Sequence, residues 1–182
     1  MLRIISGKFK NHFVESPPLE IVRPSTEKVR EAIFDMIQFD IEQAIVADLF
    51  AGSGIFSFEF ISRGAMKVFS IEKNYKIFNL IKKNIEKFKV NNIDAINTDA
   101  LNFISHANGK KFDFIFMDAP YDNYDLVNEI IAKIFKEDLL NPEGRIIVET
   151  NDKNKIIVPQ PGMITKEKKY GKTFVLFLNK IL

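Results

Sequence analysis

The stretch FIFMDAPYDNYD, residues 114–125, breaks from an apolar run straight into an acid, a proline and an aromatic ring. A carboxylate at the end of a buried strand is costly to desolvate unless something pairs with it. A loop beginning at Asp118 would meet that need, and so would a substrate held at the end of a sheet. An amino group on an aromatic ring is a poor nucleophile, because its lone pair is delocalised. Asp118 and the carbonyl of Ala119 would accept its two N–H bonds, draw the nitrogen towards tetrahedral geometry and aim the lone pair at a methyl donor. Pro120 would stiffen the turn, and the Tyr121 ring would stack on the base. Chemistry of this kind needs orientation and electrostatics, with no metal and no strong base.

A second constellation lies upstream. DLFAGSG, residues 48–54, carries Gly52 and Gly54 around Ser53, a G-x-G turn between a strand and a helix that lets backbone approach a ligand closely. The next strand ends in Glu72, 20 residues after Gly52, the spacing at which an acid meets ribose hydroxyls in nucleotide-binding folds. Asp48 stands before the glycines. An acid there suits a cofactor with a cationic end and no pyrophosphate, as in S-adenosylmethionine, and would repel the phosphates of NAD. Phe50 is positioned to touch such a cofactor. Asp99, after the third strand, could accept from an adenine amino group, cap the following helix, or do both.

These residues require a particular scaffold. Strands are expected at 44–50, 67–72, 93–97, 112–118 and 145–150, with helices between them at 54–64, 74–89, 100–107 and 125–137. Alternation of this kind implies an α/β, doubly wound, Rossmann-like sheet, mostly parallel, with ligands at the carboxyl ends of its strands. Two further strands, KIIVP at 155–159 and TFVLFL at 173–178, have no helix between them and predict an antiparallel hairpin at the sheet's C-terminal edge. Before the sheet, LRIIS and KFKNHFVE predict a small β-hairpin turning at Ser6-Gly7. A loop with three prolines follows, then a helix with Val29, Ala32, Ile33, Met36 and Ile37 on one face, capped by Ser25 or Thr26.

Composition narrows the chemistry. The 182 residues suit one full-sized core. There is no cysteine, which removes disulfides, thiolate nucleophiles and zinc–thiolate sites, and only His12 and His106 are available as imidazole ligands. No metal is expected. No apolar run reaches membrane-spanning length and the N-terminus is no signal peptide, so a cytoplasmic protein without a membrane partner is expected. The net charge of +2 does not announce a nucleic-acid binder. Its distribution is uneven. Lysine-rich stretches run over 73–89 and 166–172, both readable as solvated surface. Arg3, Lys8, Lys10, Arg23 and Arg30 cluster before the sheet, where an arm could lie on RNA phosphates.

Taken together, DLFAGSG, SIEKN, TDA and DAPY resemble the motifs of amino-group methyltransferases. The flanks LRIISGKFK, VRPSTEKVREAIF, SRGA and KKYGKTFVLFL are similar to the bacterial 16S ribosomal RNA guanine-N2 methyltransferases of the RsmD type, in the same order along nearly the whole chain and least so over 151–165. The resemblance implies S-adenosylmethionine as cofactor, with Lys73 and Ala100 beside Glu72 and Asp99 in its site. It also implies 16S rRNA or the small ribosomal subunit as partner, and a monomer. It divides the chain into an RNA-contacting extension, 1–43, and a catalytic domain, 44–182. Two positions depart from the pattern. Ala119 replaces the usual proline but keeps the carbonyl, and Asn11-His12 stands where glycine and a basic residue are usual. An adenine-N6 DNA methyltransferase would share the DAPY chemistry but needs more sequence for its target than the roughly 43 residues before the sheet. A non-catalytic RNA-binding assembly factor would not need Asp118 and the glycine turn. An NAD-dependent oxidoreductase would need a proton-transfer residue near DAPY.

Overall fold

In the computed structural model, which describes residues 1–18, 26–120 and 122–181, the expected alternation becomes a seven-stranded sheet. Its elements are β3 (Ile45–Asp48), α2 (Ile55–Ser62), β4 (Lys67–Ile71), α3 (Tyr75–Phe88), β5 (Ile93–Ile96), α4 (Ala100–Ser105), β6 (Phe112–Asp118), α5 (Tyr124–Lys136), β7 (Leu140–Thr150), β8 (Gly162–Tyr170) and β9 (Thr173–Lys180). Before them come a hairpin, β1 (Leu2–Arg3) and β2 (Phe13–Val14), and the helix α1 (Glu27–Ile37). Thr26 caps α1 by accepting from the Val29 amide; Ser25, the other cap candidate, lies outside the described residues.

The strand order is β5-β4-β3-β6-β7-β9-β8. From β3 the chain winds outward through β4 to β5, then returns to the other side of β3 as β6. That reversal is the switch point at which α/β sheets bind ligands. Strands β3 to β7 pair in parallel, and β9 closes antiparallel against β7. Apolar side chains cover both faces. One face packs Phe56, Phe58, Phe60, Phe114 and Phe116 with α1 and the hairpin; the other packs Ile115 and Met117 against α4 and α5. The phenylalanines of GIFSFEF are core, as their crowding on one short helix suggests. Phe56 stacks on Phe116 with centroids 3.8 Å apart.

Two local expectations need correction. The C-terminal hairpin is there, but its outer strand is Gly162–Tyr170, not KIIVP. Pro159 and Pro161 lack the amide donors a ladder needs, so the chain from Lys153 makes a single 3-10 turn and runs on unpaired. The true edge strand hides from pattern reading because its exposed lysines look like loop. Such residues suit an edge, where charge blocks pairing with other chains.

The N-terminal hairpin is also shorter than expected, two residues a strand. The backbone groups that would extend it are taken by α2. Ile5 N–H donates to Glu59 Oε1, Phe9 N–H to Ser62 Oγ, and Lys8 N–H to the Ser62 carbonyl, while Ser62 Oγ donates to the Ser6 carbonyl. The contact is so close that a Cβ on Gly7, at φ 82°, would lie 1.9 Å from the Ser62 carbonyl oxygen. Farther along, the Asn84 side chain accepts from Glu15 N–H and donates to its carbonyl, as a neighbouring strand would.

Arg30 is the centre of this docking and not an RNA contact. It is 1% exposed, with Nε 3.1 Å from Glu59 Oε1 and a second nitrogen donating to the Arg3 carbonyl. Glu59 is fully buried and also paired with Arg63. Taking a guanidinium out of water is repaid only by such a set of partners, so Arg30 is committed to the interior. Removing it would leave Glu59 buried with one cation instead of two. Arg30→Ala should therefore lower stability by roughly 3–5 kcal/mol in urea unfolding, the range for breaking a buried pair; a loss near zero would contradict the buried-anchor role.

Candidate active site

A cavity of about 450 Å³ opens where the carboxyl ends of β3, β4 and β6 come together. The loop after β3 contributes Phe50, Gly52 and Ser53, β4 ends into it with Glu72 and Lys73, and Asp99 and Ala100 enter from the start of α4. On the other side β6 brings Asp118, Ala119 and Pro120. Residues as far apart in sequence as Phe50 and Pro120 thus share one wall, because parallel strands end at the same edge of the sheet. Tyr121 lies outside the described residues.

The glycine turn is held from the neighbouring strand. Gly52 N–H donates to Glu72 Oε2 at 3.0 Å, and Asn74 N–H to Glu72 Oε1 at 2.7 Å. Each carboxylate oxygen keeps a further lone pair, so Glu72 can clasp the loop and still accept from a ligand. Burial pushes the Glu72 carboxyl up from its ordinary value, opposed by those two backbone N–H groups. Gly54, at φ 78°, starts α2 in a left-handed conformation that a side chain would strain. It lies behind the wall and shapes the turn.

Asp48 also lies behind the wall. It is 1% exposed, and Oδ2 accepts from Ser57 Oγ at 2.7 Å. Oδ1 is buried without a hydrogen-bond partner among the described residues. Burial pushes its pKa up to about 7, only partly offset by Ser57. A buried carboxylate with spare accepting capacity under a cavity-lining loop is complementary to a cationic group. Asp99 does cap α4, through Oδ1 and the Asn102 amide at 2.8 Å, and lines the cavity as well. The helix-capping role is thus observed, and the residue faces the cavity.

Glu149 and Thr173 are among the wall residues that the sequence did not single out as site candidates. Glu149 pairs in register with Asp118 across β6 and β7. It is a strand-end acid like Asp118, and the same rule would have found it. Thr173 begins β9 and had no signal of its own. A smaller recess adjoins the Asp118–Pro120 turn, walled by Tyr124, Thr150, Asn151 and Thr173, with the Tyr124 hydroxyl donating to Asn151.

Of the arm residues, Lys8 and Lys10 are exposed, Arg3 is exposed but paired with Glu27, and Arg23 is outside the described residues. Among the described residues no helix is long and apolar enough to cross a membrane, and no cluster of acids and histidines could hold a metal ion.

Strand order, glycine turn and acidic strand ends together define the fold of the S-adenosylmethionine-dependent methyltransferases. A solved Escherichia coli structure assigned to the methyltransferases superposes with a TM-score of 0.89 at 28% identity, over 98% of this chain and 97% of that one. A methyltransferase solved with S-adenosylhomocysteine shares the fold at 18% identity and a TM-score of 0.64, over 85% of this chain and 48% of that one. The family described as "Conserved hypothetical protein 95" matches residues 2–179, and the chain belongs to it. A Buchnera aphidicola relative, the ribosomal RNA small subunit methyltransferase D, is 32% identical over 91% of this chain and 86% of its own length.

The buried Asp48 makes a pH prediction. A carboxyl whose folded pKa is raised binds its proton more tightly folded than unfolded, so stability is greatest below its ordinary value. As pH climbs from about 4 through about 7, this group should remove stability, with no further change above. Urea midpoints of Asp48→Asn relative to the parent should shift in the variant's favour between pH 5 and pH 8. A difference independent of pH would show that Asp48 is not titrating in that window.

Proposed function

We propose that the protein is an S-adenosylmethionine-dependent methyltransferase that modifies the exocyclic N2 amino group of a guanine in 16S ribosomal RNA. The observation that carries this reading is the shared cavity, in which Gly52 and Glu72 face the same space as Asp118 and Ala119. The small-subunit rRNA methyltransferase relative supports the substrate class.

The residues present fit the cofactor. Glu72 would accept from the ribose hydroxyls, Asp99 from the adenine amino group, and Asp48, with its unpartnered Oδ1, would complement the cationic amino-acid end. Phe50, Ser53, Lys73 and Ala100 complete the surround. When bound, S-adenosylmethionine would supply a methyl group on a sulfonium, already a good leaving group.

The chain's own part is orientation. Asp118 and the Ala119 carbonyl accept the two N–H bonds of the target amine and so localise its lone pair for in-line attack. Pro120 keeps that turn stiff, and Tyr121 stacks on the base. The methylated nitrogen, acidified as its new bond forms, would release its proton to the Asp118 carboxylate already bonded to it and from there to solvent, so no stronger base is needed. A guanine must leave its stack to enter, so an unpaired or loop nucleotide is the expected target. Residues 44–182 carry this catalysis, and 1–43 form an extension that meets RNA through Lys8 and Lys10, with the protein acting as a monomer.

Incubation with labelled S-adenosylmethionine and small ribosomal subunits from a strain lacking the enzyme should label one nucleotide, recovered as N2-methylguanosine. Unlabelled subunits, with label recovered as N6-methyladenosine in a parallel incubation with DNA, would overturn the reading. Asp118→Ala should keep cofactor affinity and lose about 10²–10³ in single-turnover rate, the scale for removing one preorganised polar group. Near-normal transfer would remove Asp118 from the chemistry. Glu72→Ala should weaken cofactor binding in calorimetry by roughly 1.5–3 kcal/mol, the value of a hydrogen bond to a charged group; unchanged affinity would take Glu72 out of the site.

A further inference from the structure

The C-terminal edge carries a charge that the catalytic wall does not use. Residues 153–172 contain six lysines and one acid, a net +5, whereas the whole chain is +2, so the other 162 residues together are −3. The fold brings this segment to the carboxyl end of the sheet. β9 runs antiparallel to β7, and β8 antiparallel to β9, so β8 ends at the same edge as β6 and β7.

The register is informative. Asp118 pairs with Glu149, Glu149 with Val175, and Val175 with Lys168. These four residues form one row across the sheet, and cross-strand partners point to the same face. Three strand spacings separate Asp118 from Lys168, about 14 Å at about 4.8 Å each. Lys169 stands one residue farther out, opposite Phe174, and the Tyr170–Thr173 turn brings Lys172 to the rim beside Thr173 of the cavity wall.

The underside is equally basic. Lys153 and Lys169 lie over the Phe174 ring at 5.7 and 5.2 Å. Lys155 lies 4.6 Å over Tyr124, which walls the recess beside Asp118. Only Glu167 opposes them within the segment, paired with Lys153.

We propose that this edge, with Lys155, Lys168, Lys169 and Lys172 at its centre, is the track that holds the RNA phosphates flanking the base delivered to Asp118. The idea rests on the proposed rRNA substrate and adds which surface grips it. Lysines suit the task as mobile point charges that neutralise phosphate without reading sequence. An acidic protein partner would need the same charge but not its alignment with the catalytic row. The N-terminal arm becomes the lesser contact, since Arg30 is buried and Arg3 is paired with Glu27.

The test measures binding of a fluorescent single-stranded RNA oligonucleotide against salt, for the full chain and two triple variants. One is Lys168→Gln/Lys169→Gln/Lys172→Gln. The other, Lys76→Gln/Lys82→Gln/Lys83→Gln, removes the same charge from exposed positions on α3. The slope of log affinity against log salt should fall by about 2 in the first, three contacts at about 0.7 each for a single strand, and stay unchanged in the second. Equal slopes in both variants, or no change in the first, would overturn the track. Thermal melting should match the parent for both, because all six side chains are exposed. Methyl transfer by the unaltered protein to small subunits separates the two ideas. Transfer with unchanged edge slopes defeats the track alone, and absence of transfer defeats the rRNA reading whatever the slopes show.

Discussion

The structure depends on the register of three parallel strands. β3 pairs with β4 on one side and β6 on the other, and each pairing aligns strand ends. Both faces of these strands are covered, so apolar residues dominate them, and the polar Ser70 inside β4 is buried only with its hydroxyl paired to Ser57. Asp48, Glu72 and Asp118 are the acids at those three ends. A shift of one residue in any pairing would turn an acid into the core and an apolar residue into the cavity. The loop geometry depends on the same alignment, because Glu72 reaches Gly52 only when β3 and β4 finish level.

A second constraint is electrostatic and lies on the far side of α2. Glu59, fully buried on a helix whose every residue is buried, is compatible with folding only when cations reach it. Arg30 and Arg63 do so, Arg63 from the end of the same helix, and Arg30 in doing so attaches α1 and the hairpin to the sheet's first helix. The N-terminal segment is thus part of the core, and its surface beyond the anchored backbone is what is left for contact with a partner.

Much of the architecture was legible because it is encoded by period. Alternating apolar strands and 3.6-residue helices with glycine at their ends give the sheet and its switch point, and the strand 112–118 ends at the expected acid. The G-x-G turn and the acid 20 residues on were legible because backbone geometry fixes that spacing. Arg30 was misread because charge in sequence carries no sign of burial; only the partner 29 residues away, Glu59, reveals it. The edge strand β8 was hidden for the opposite reason. Its lysines satisfy no apolar pattern, since every residue from Met163 to Lys169, on both faces, is exposed. Glu149 was legible by the rule applied to Asp118, but it closes the strand after DAPY and carries no motif beside it.

The central claim is a division of one sheet edge into a cofactor half, at β3, β4 and β5, and a base half, at β6, β7 and β9. Amide resonances followed while S-adenosylhomocysteine is titrated into the isotope-labelled protein test it directly. The account predicts saturable shifts at Gly52, Ser53, Glu72, Asn74, Asp99 and Ala100, with Thr150, Asn151 and Lys169 unmoved. Shifts confined to the recess around Tyr124 and Thr173, with the glycine turn silent, would contradict it.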